Sequence, residues 1–140
     1  MAGDEQGWRI EVEPEYERAV TRELNEYQQE LLDGAVRGVL LTEGVDVCRT
    51  QWGKPLGQGL YEFRVHKKSK KQVMQRVDPD YKPAPGDEQT VTLRVFFMTH
   101  GRRLILLLTA YDKGRDPSKK KQQAAIATAR TIAARVIRKW

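Results

Sequence analysis

Thr90-Val-Thr-Leu-Arg-Val-Phe-Phe-Met98, then Thr99-His100-Gly101-Arg102-Arg103, then Leu104-Ile-Leu-Leu-Leu-Thr-Ala110, is the stretch on which the fold turns. From Thr90 to Met98 the apolar residues Val91, Leu93, Val95 and Phe97 alternate with Thr92, Arg94 and Phe96, the period of two that gives a strand two unlike faces. His100-Gly101 supplies a hairpin-type turn. Leu104 to Ala110 is apolar on both faces, as expected of a strand covered on both sides and central in its sheet.

Upstream, Leu60 to His66 alternates in the same way, with Tyr61, Phe63 and Val65 on one face and Glu62, Arg64 and His66 on the other. Trp8 to Val12 is a shorter strand, with Trp8, Ile10 and Val12 facing inward, stopped by Pro14. From Glu15 the spacing of Tyr16, Ala19, Val20, Leu24, Tyr27 and Leu31 predicts an amphipathic helix, with Pro14 in its first turn and Glu15 and Glu17 at the positive end of its dipole. Asp33-Gly34 is the expected break before a second helical piece carrying Ala35, Val36, Val39, Leu40 and Leu41 and ending before Gly44. Residues 49–59, with three glycines and Pro55, predict irregular chain. Residues 67–89 hold three prolines and no convincing period and predict a long, mobile basic loop. A last helix starts at Asp116-Pro117-Ser118, with Asp116 as cap and Pro117 in the first position, and runs to about Arg138. The order is β-α-α-β-β-β-α: one α+β domain, a mostly antiparallel sheet packed against helices.

A chain of 140 residues, 39% hydrophobic and 31% charged, has apolar side chains for one small core and not for two. Its longest uninterrupted apolar run, Leu104 to Leu108, is far short of the roughly 20 residues of a membrane-spanning helix, and the acidic N-terminal stretch lacks a signal peptide's apolar segment. A cytoplasmic protein without a membrane partner is expected. Cys48 is the single cysteine and there are two histidines, so neither an internal disulfide nor a zinc cluster is expected, and no metal or cofactor. The net charge of +6 divides unevenly. Residues 1–48 carry 4 basic and 12 acidic side chains, residues 49–121 carry 17 and 7, and residues 122–140 carry 4 and none. If these segments separate in space, one face repels phosphate and another attracts it.

The runs Lys54-Pro-Leu-Gly-Gln-Gly-Leu-Tyr-Glu-Phe-Arg-Val65, Leu93-Arg-Val-Phe-Phe97 and Leu106-Leu-Leu-Thr-Ala-Tyr-Asp-Lys113 before Pro117 resemble the RelE/ParE toxin superfamily, most closely its phage-derived, HigB-type branch. The resemblance covers roughly residues 54–130, and the N-terminal strand and helices only in order and length. It implies a RelE-like fold and the toxin of a type II toxin-antitoxin system. Such a protein cleaves messenger RNA in the ribosomal decoding site without a metal and is silenced by a helix-turn-helix antitoxin. By position, Arg64 matches the family's strand arginine, Arg94 the arginine before the aromatic pair, Lys113 the lysine after the central strand, and Tyr111 a usual aromatic position. Gly114, Arg115, Asp116 and Pro117 depart from the family's lysine-containing approach to the last helix, and the 67–89 segment is longer than its usual turn.

Metal-free RNA cleavage needs a base for the 2′-hydroxyl, positive charge on the phosphate and an acid for the 5′-oxygen. Arg64, Arg94 and Lys113 are the candidates for charge, His66 for the base, and Tyr111 for the acid or for a surface on which a base stacks. Each has a plainer alternative: Arg64 paired with a carboxylate across the sheet, His66 solvated at a strand end, Tyr111 a core aromatic. RNA contacts are expected from Lys67, Lys68, Lys70, Lys71, Arg102, Arg115 and Lys119, Lys120 and Lys121, the last three placed unfavourably at the positive end of a helix. The acidic helices, with Glu23, Glu26 and Glu30, are the expected antitoxin surface. A non-enzymatic module of the same fold that binds nucleic acid or a protein, including a gyrase-directed toxin, is the alternative.

Overall fold

A computed structural model describes residues 7–140. The chain runs β1 (Arg9–Val12), α1 (Pro14–Glu23), α2 (Glu26–Ala35), β2 (Gly53–Gly57), β3 (Leu60–Ser69), α3 (Lys70–Val77), β4 (Thr90–His100), β5 (Leu104–Asp112) and α4 (Lys119–Lys139). The strands form one sheet in the order β1-β5-β4-β3-β2, antiparallel except for the parallel pair β1 and β5. The fold is α+β, as expected, with two more elements than the sequence predicted.

Alternation sorts the sheet's side chains onto two covered faces. On one, Phe63, Val65, Leu93, Val95, Phe97, Ile105 and Leu107 meet Leu31, Leu32, Ala35, Val39 and Leu40 of the α2 segment and Val73 of α3. On the other, Leu60, Phe96, Met98, Leu106, Leu108 and Tyr111 meet Ala129, Ile132 and Val136 of α4. The middle strand is β4 rather than Leu104–Ala110: β5 is buried on both faces because β1 pairs along its outer edge and helices lie above and below.

Four local readings change. The first helix breaks at Leu24-Asn25, not at Asp33-Gly34, because the Asn25 side chain accepts from the Gln28 N–H at 2.8 Å while Gln28 Oε1 accepts from the Asn25 N–H at 2.9 Å, a complete capping box. Helix α2 then passes through Gly34 and continues as a π turn (Val36–Leu40) and a short α turn (Leu41–Glu43). A Cβ on Gly34 would lie 2.9 Å from Met74 Cε and 3.2 Å from Val73 Cγ1, so this glycine serves the close approach of α2 to α3. Residues 49–59 are not wholly irregular, since Gly53–Gly57 pairs with β3. The expected loop at 67–89 begins as β3, then forms α3, capped by Ser69 and Gln72, and Asp87 fastens the chain beyond that helix by accepting from the Tyr81 hydroxyl (2.5 Å) and the Ala84 N–H (2.9 Å). Finally, α4 is capped by Ser118, whose Oγ accepts from the Lys121 N–H at 3.1 Å, while Asp116 accepts from the Ser118 N–H.

The charged segments do not separate. Glu30 on α2 pairs with Lys70 at 2.7 Å, Glu23 on α1 with Lys121 at 3.6 Å, and Arg135 on α4 with both Glu13 (2.6 Å) and Glu15. The acidic third is stitched to the basic remainder at four of its carboxylates, so the boundary between the two is an ion-paired seam and not a clean division into an acidic back and a basic front.

This architecture makes two outcomes testable. Gly44 has φ +57°, and a Cβ there would fall 2.0 Å from the Trp8 ring, so Gly44→Ala both strains the backbone and displaces the indole. A loss of about 2–3 kcal/mol in urea unfolding is expected. The Arg135 guanidinium, foremost by its hydrogen bond, holds the Glu15 carboxyl down at about 2 from an ordinary 4.5. A depressed carboxylate stabilises the fold fully above its unfolded pKa and loses that contribution as pH falls towards its folded one. Unfolding free energy should therefore drop between about pH 4.5 and 2, with a shallower slope for Arg135→Ala in titrated denaturation.

Candidate phosphate-binding site

Strand register brings the candidate residues together. Arg64 on β3 lies opposite Arg94 on β4, and Arg94 lies opposite Tyr111 on β5, giving one row across the sheet. In the next row, towards α4, Glu62 is opposite Phe96 and Phe96 opposite Thr109. On the other side, His66 is opposite Thr92, and the Gly114 N–H donates to the Thr92 carbonyl at 2.9 Å, keeping the segment after β5 beside β4. The helix-covered apolar face thus gives way, within two rows, to a polar one.

Directly opposed like charges are unfavourable in a sheet. Here one carboxylate stands between them. Glu62 is fully buried, and its Oε1 accepts from Arg64 Nε at 2.8 Å and lies 4.0 Å from Arg94 Nε. The plainer alternative for Arg64 is half realised: it has a carboxylate partner, on its own strand and not across the sheet. The side chain of Arg64 is 28% exposed and that of Arg94 4%, so Arg64 meets solvent while Arg94 backs it from below. Burial, with the Arg64 charge beside it, lowers the Arg94 pKa against the pull of Glu62. Burial and then the charge of Arg94 also lower that of Lys113, which is half-buried.

His66 is exposed, and its imidazole pKa lies below 6.5 because of partial burial and then the charges of Arg94, Lys67, Lys113 and Arg64. It is neutral at pH 7, the form that accepts a proton. Tyr111 is 2% exposed, its ring stacked 6.2 Å from Phe96 within the second core cluster, and burial raises its pKa. Its ring face is not open for a base to stack on, and the core-aromatic alternative describes its packing.

The expected RNA-contacting lysines scatter. At Lys67 (φ +51°) a bulge interrupts β3, and beyond it Lys68 Nζ lies 5.2 Å over the Trp52 ring, which packs in the opposite core, while Lys70 is held by Glu30. Lys71, Lys119 and Lys120 project from the starts of α3 and α4. Arg102 sits in the turn after β4, eight residues from Arg94 and at the other end of the strand. Lys121 comes nearer: its Nζ is 5.8 Å from the Tyr111 ring centroid, and with Arg115, Arg22, Glu23, Asp112 and Asp116 it lines a charged pocket of about 560 Å³. Its ion pair with Glu23 gives a lysine at a helix N-terminus a partner within the chain.

Sequence reasoning placed Glu62 on the face of Arg64 without assigning it to the site; the signal was an acidic residue two positions from an arginine on a strand otherwise turned to the core. A separate groove of about 630 Å³ between β1, α1 and α2 is lined mainly by apolar side chains such as Ile10, Val12, Val20 and Leu32, and the arginine at its rim, Arg37, is paired with Asp33 at 3.1 Å. Among the described residues no group of three or more His, Cys, Asp or Glu is placed to hold a metal, and no helix is long and apolar enough to cross a membrane. Comparison with family models, curated proteins and solved structures gave no match.

The electrostatics predict a titration. His66 should show an NMR midpoint below 6.5, and Arg94→Ala, which removes the largest of the named charges, should move it upward. A midpoint unmoved by that substitution would mean the imidazole does not feel the arginine row.

Proposed function

We propose that this chain is the toxin of a toxin-antitoxin pair, an endoribonuclease that cuts messenger RNA at the ribosome without a metal. The observation that carries this reading is the row of Arg64 and Arg94 beside the buried carboxylate of Glu62, with Lys113 near enough to feel all three charges. A surplus of fixed positive charge at a partly desolvated site suits the doubly charged phosphorane of RNA cleavage. Arg64 and Lys113 make the direct contacts, Arg94 adds charge from beneath, and His66, neutral at pH 7, takes the proton of the 2′-hydroxyl. Lys113, with its lowered pKa, is a better placed acid for the 5′-oxygen than the buried Tyr111. The resemblance of residues 54–130 to RelE/ParE toxins supports the same assignment and supplies the expected partner, a helix-turn-helix antitoxin. The docking surface expected on the acidic helices is weakened by the ion pairs of Glu23 and Glu30 within the chain, so reversing those charges would disturb the fold as well as any partner.

Binding without cleavage, of nucleic acid or of a protein target such as gyrase, is the second reading. The burial of Tyr111 favours it, because the residue in the family's aromatic position cannot reach a substrate in this conformation.

Induced expression separates the two. The wild type should arrest growth and yield cut messenger, and Arg64→Ala combined with Lys113→Ala should abolish both while preserving the fold by circular dichroism. Arrest that persists in the double variant sinks the cleavage assignment, and arrest without cut messenger supports the binding module. In filter binding to single-stranded RNA, each lost phosphate contact should reduce the slope of log affinity against log salt by about 0.7.

A further inference from the structure

Three buried polar atoms around the row make no hydrogen bond among the described residues: Glu62 Oε2, Arg94 Nε and the Tyr111 hydroxyl. A closed structural ion pair would satisfy the carboxylate and the guanidinium among them, since burying a carboxylate is costly unless its lone pairs are filled. Glu62 is instead engaged by one bond, from Arg64 Nε. Position 62 is also flanked by apolar burial: Leu60 precedes it on the same face and Phe96 lies opposite. A leucine or methionine would fill such a place with less desolvation but would leave the buried Arg94 charge without a counter-ion, so a carboxylate belongs here; that only one of its oxygens is bonded, and to Arg64 rather than to Arg94, is what pairing alone does not explain.

The single bond has a geometric consequence. A guanidinium presents five donors in a rigid plane, and the Nε edge and the edge formed by the two terminal nitrogens face different ways. With Nε held by Glu62, the terminal edge of Arg64 is turned away from the carboxylate, and it is the edge that grips a phosphate bidentately. We infer that Glu62 is a positioning residue, which fixes Arg64 through Nε so that its terminal nitrogens meet the scissile phosphate. The inference rests on the phosphate role proposed above for Arg64. Glu62 itself never touches the substrate. Its charge also lets Arg64 and Arg94 stay directly opposite each other before any anion arrives.

Glu62→Gln keeps the size and an acceptor oxygen but removes the charge, and Arg64→Lys keeps the charge but removes the fork. On programmed ribosomes, Glu62→Gln should lower kcat for messenger cleavage by about 100-fold, the scale of a misplaced catalytic contact, with little change in KM. If Glu62 acts through Arg64, it should add almost nothing in the Arg64→Lys background, whereas a merely structural role would give independent, multiplying losses. Exchange of the Arg64 Nε–H, followed by NMR on the free protein well below the thermal midpoint of either variant, should accelerate in Glu62→Gln. Multiplying losses, or unchanged exchange, overturn the positioning role. A wild type that cuts no messenger overturns the nuclease reading alone, and the exchange measurement then decides whether Glu62 orders Arg64.

Discussion

The burial of β4 on both faces is the constraint that shapes everything around it. As the middle strand of five, it exposes neither edge, and its side chains must enter one of two helix-covered cores. Val91, Leu93, Val95 and Phe97 do so on one side, Phe96 and Met98 on the other. Arg94 is the exception, a guanidinium at 3% exposure in a position where the pattern calls for a hydrophobe. An isolated buried charge is not tolerated, so a carboxylate must come within reach, and Glu62 does; Arg64, directly opposite at the solvent boundary, adds a second cation that the same carboxylate must also offset. The site is the consequence of putting one cation into the centre of the sheet.

The elements that read clearly from sequence were those whose pattern is set by burial. Strands β3, β4 and β5 and helix α4 each present a long alternation or stripe, because one or both faces pack against something. Elements decided by a single local bond were illegible by periodicity. The chain breaks at Asn25 because of one reciprocal cap, and α3 exists because Ser69 and Gln72 cap it and Val73 inserts into the core beside Gly34. Gly34 is instructive: in the sequence a glycine suggests conformational freedom, and the fold uses this one as missing volume.

For the site, Arg64 and Arg94 were foreseeable as residues on polar faces of neighbouring strands, and Tyr111 only through the resemblance, but the registration of the three was not. A slip of one residue would have turned Arg94 towards the α2 side. Which arginine reaches solvent, the burial of Tyr111 and the use of Glu62 all depend on that register and on where α4 stops covering the face. Lys68 shows the converse, since a one-residue bulge at Lys67 carries it to the Trp52 side, so neighbouring lysines in sequence serve opposite faces.

The same locality governs the electrostatics. Segment totals of opposite sign suggested a molecule polarised from end to end, yet Glu13, Glu15, Glu23 and Glu30 are paired with Arg135, Lys121 and Lys70, so the two segments meet along ion-paired seams. Away from those seams lies the imbalance where Arg64 and Arg94, with Lys113 near enough to feel them, stand beside one carboxylate. His66 stands beside it, an exposed imidazole whose pKa is lowered first by partial burial and then by four separate cations. Screening by salt removes distant contributions first and leaves such short, partly desolvated ones. Fixed, partly desolvated positive charge therefore gathers at this end of the strands, and the net charge of the chain is a poor guide to where it lies.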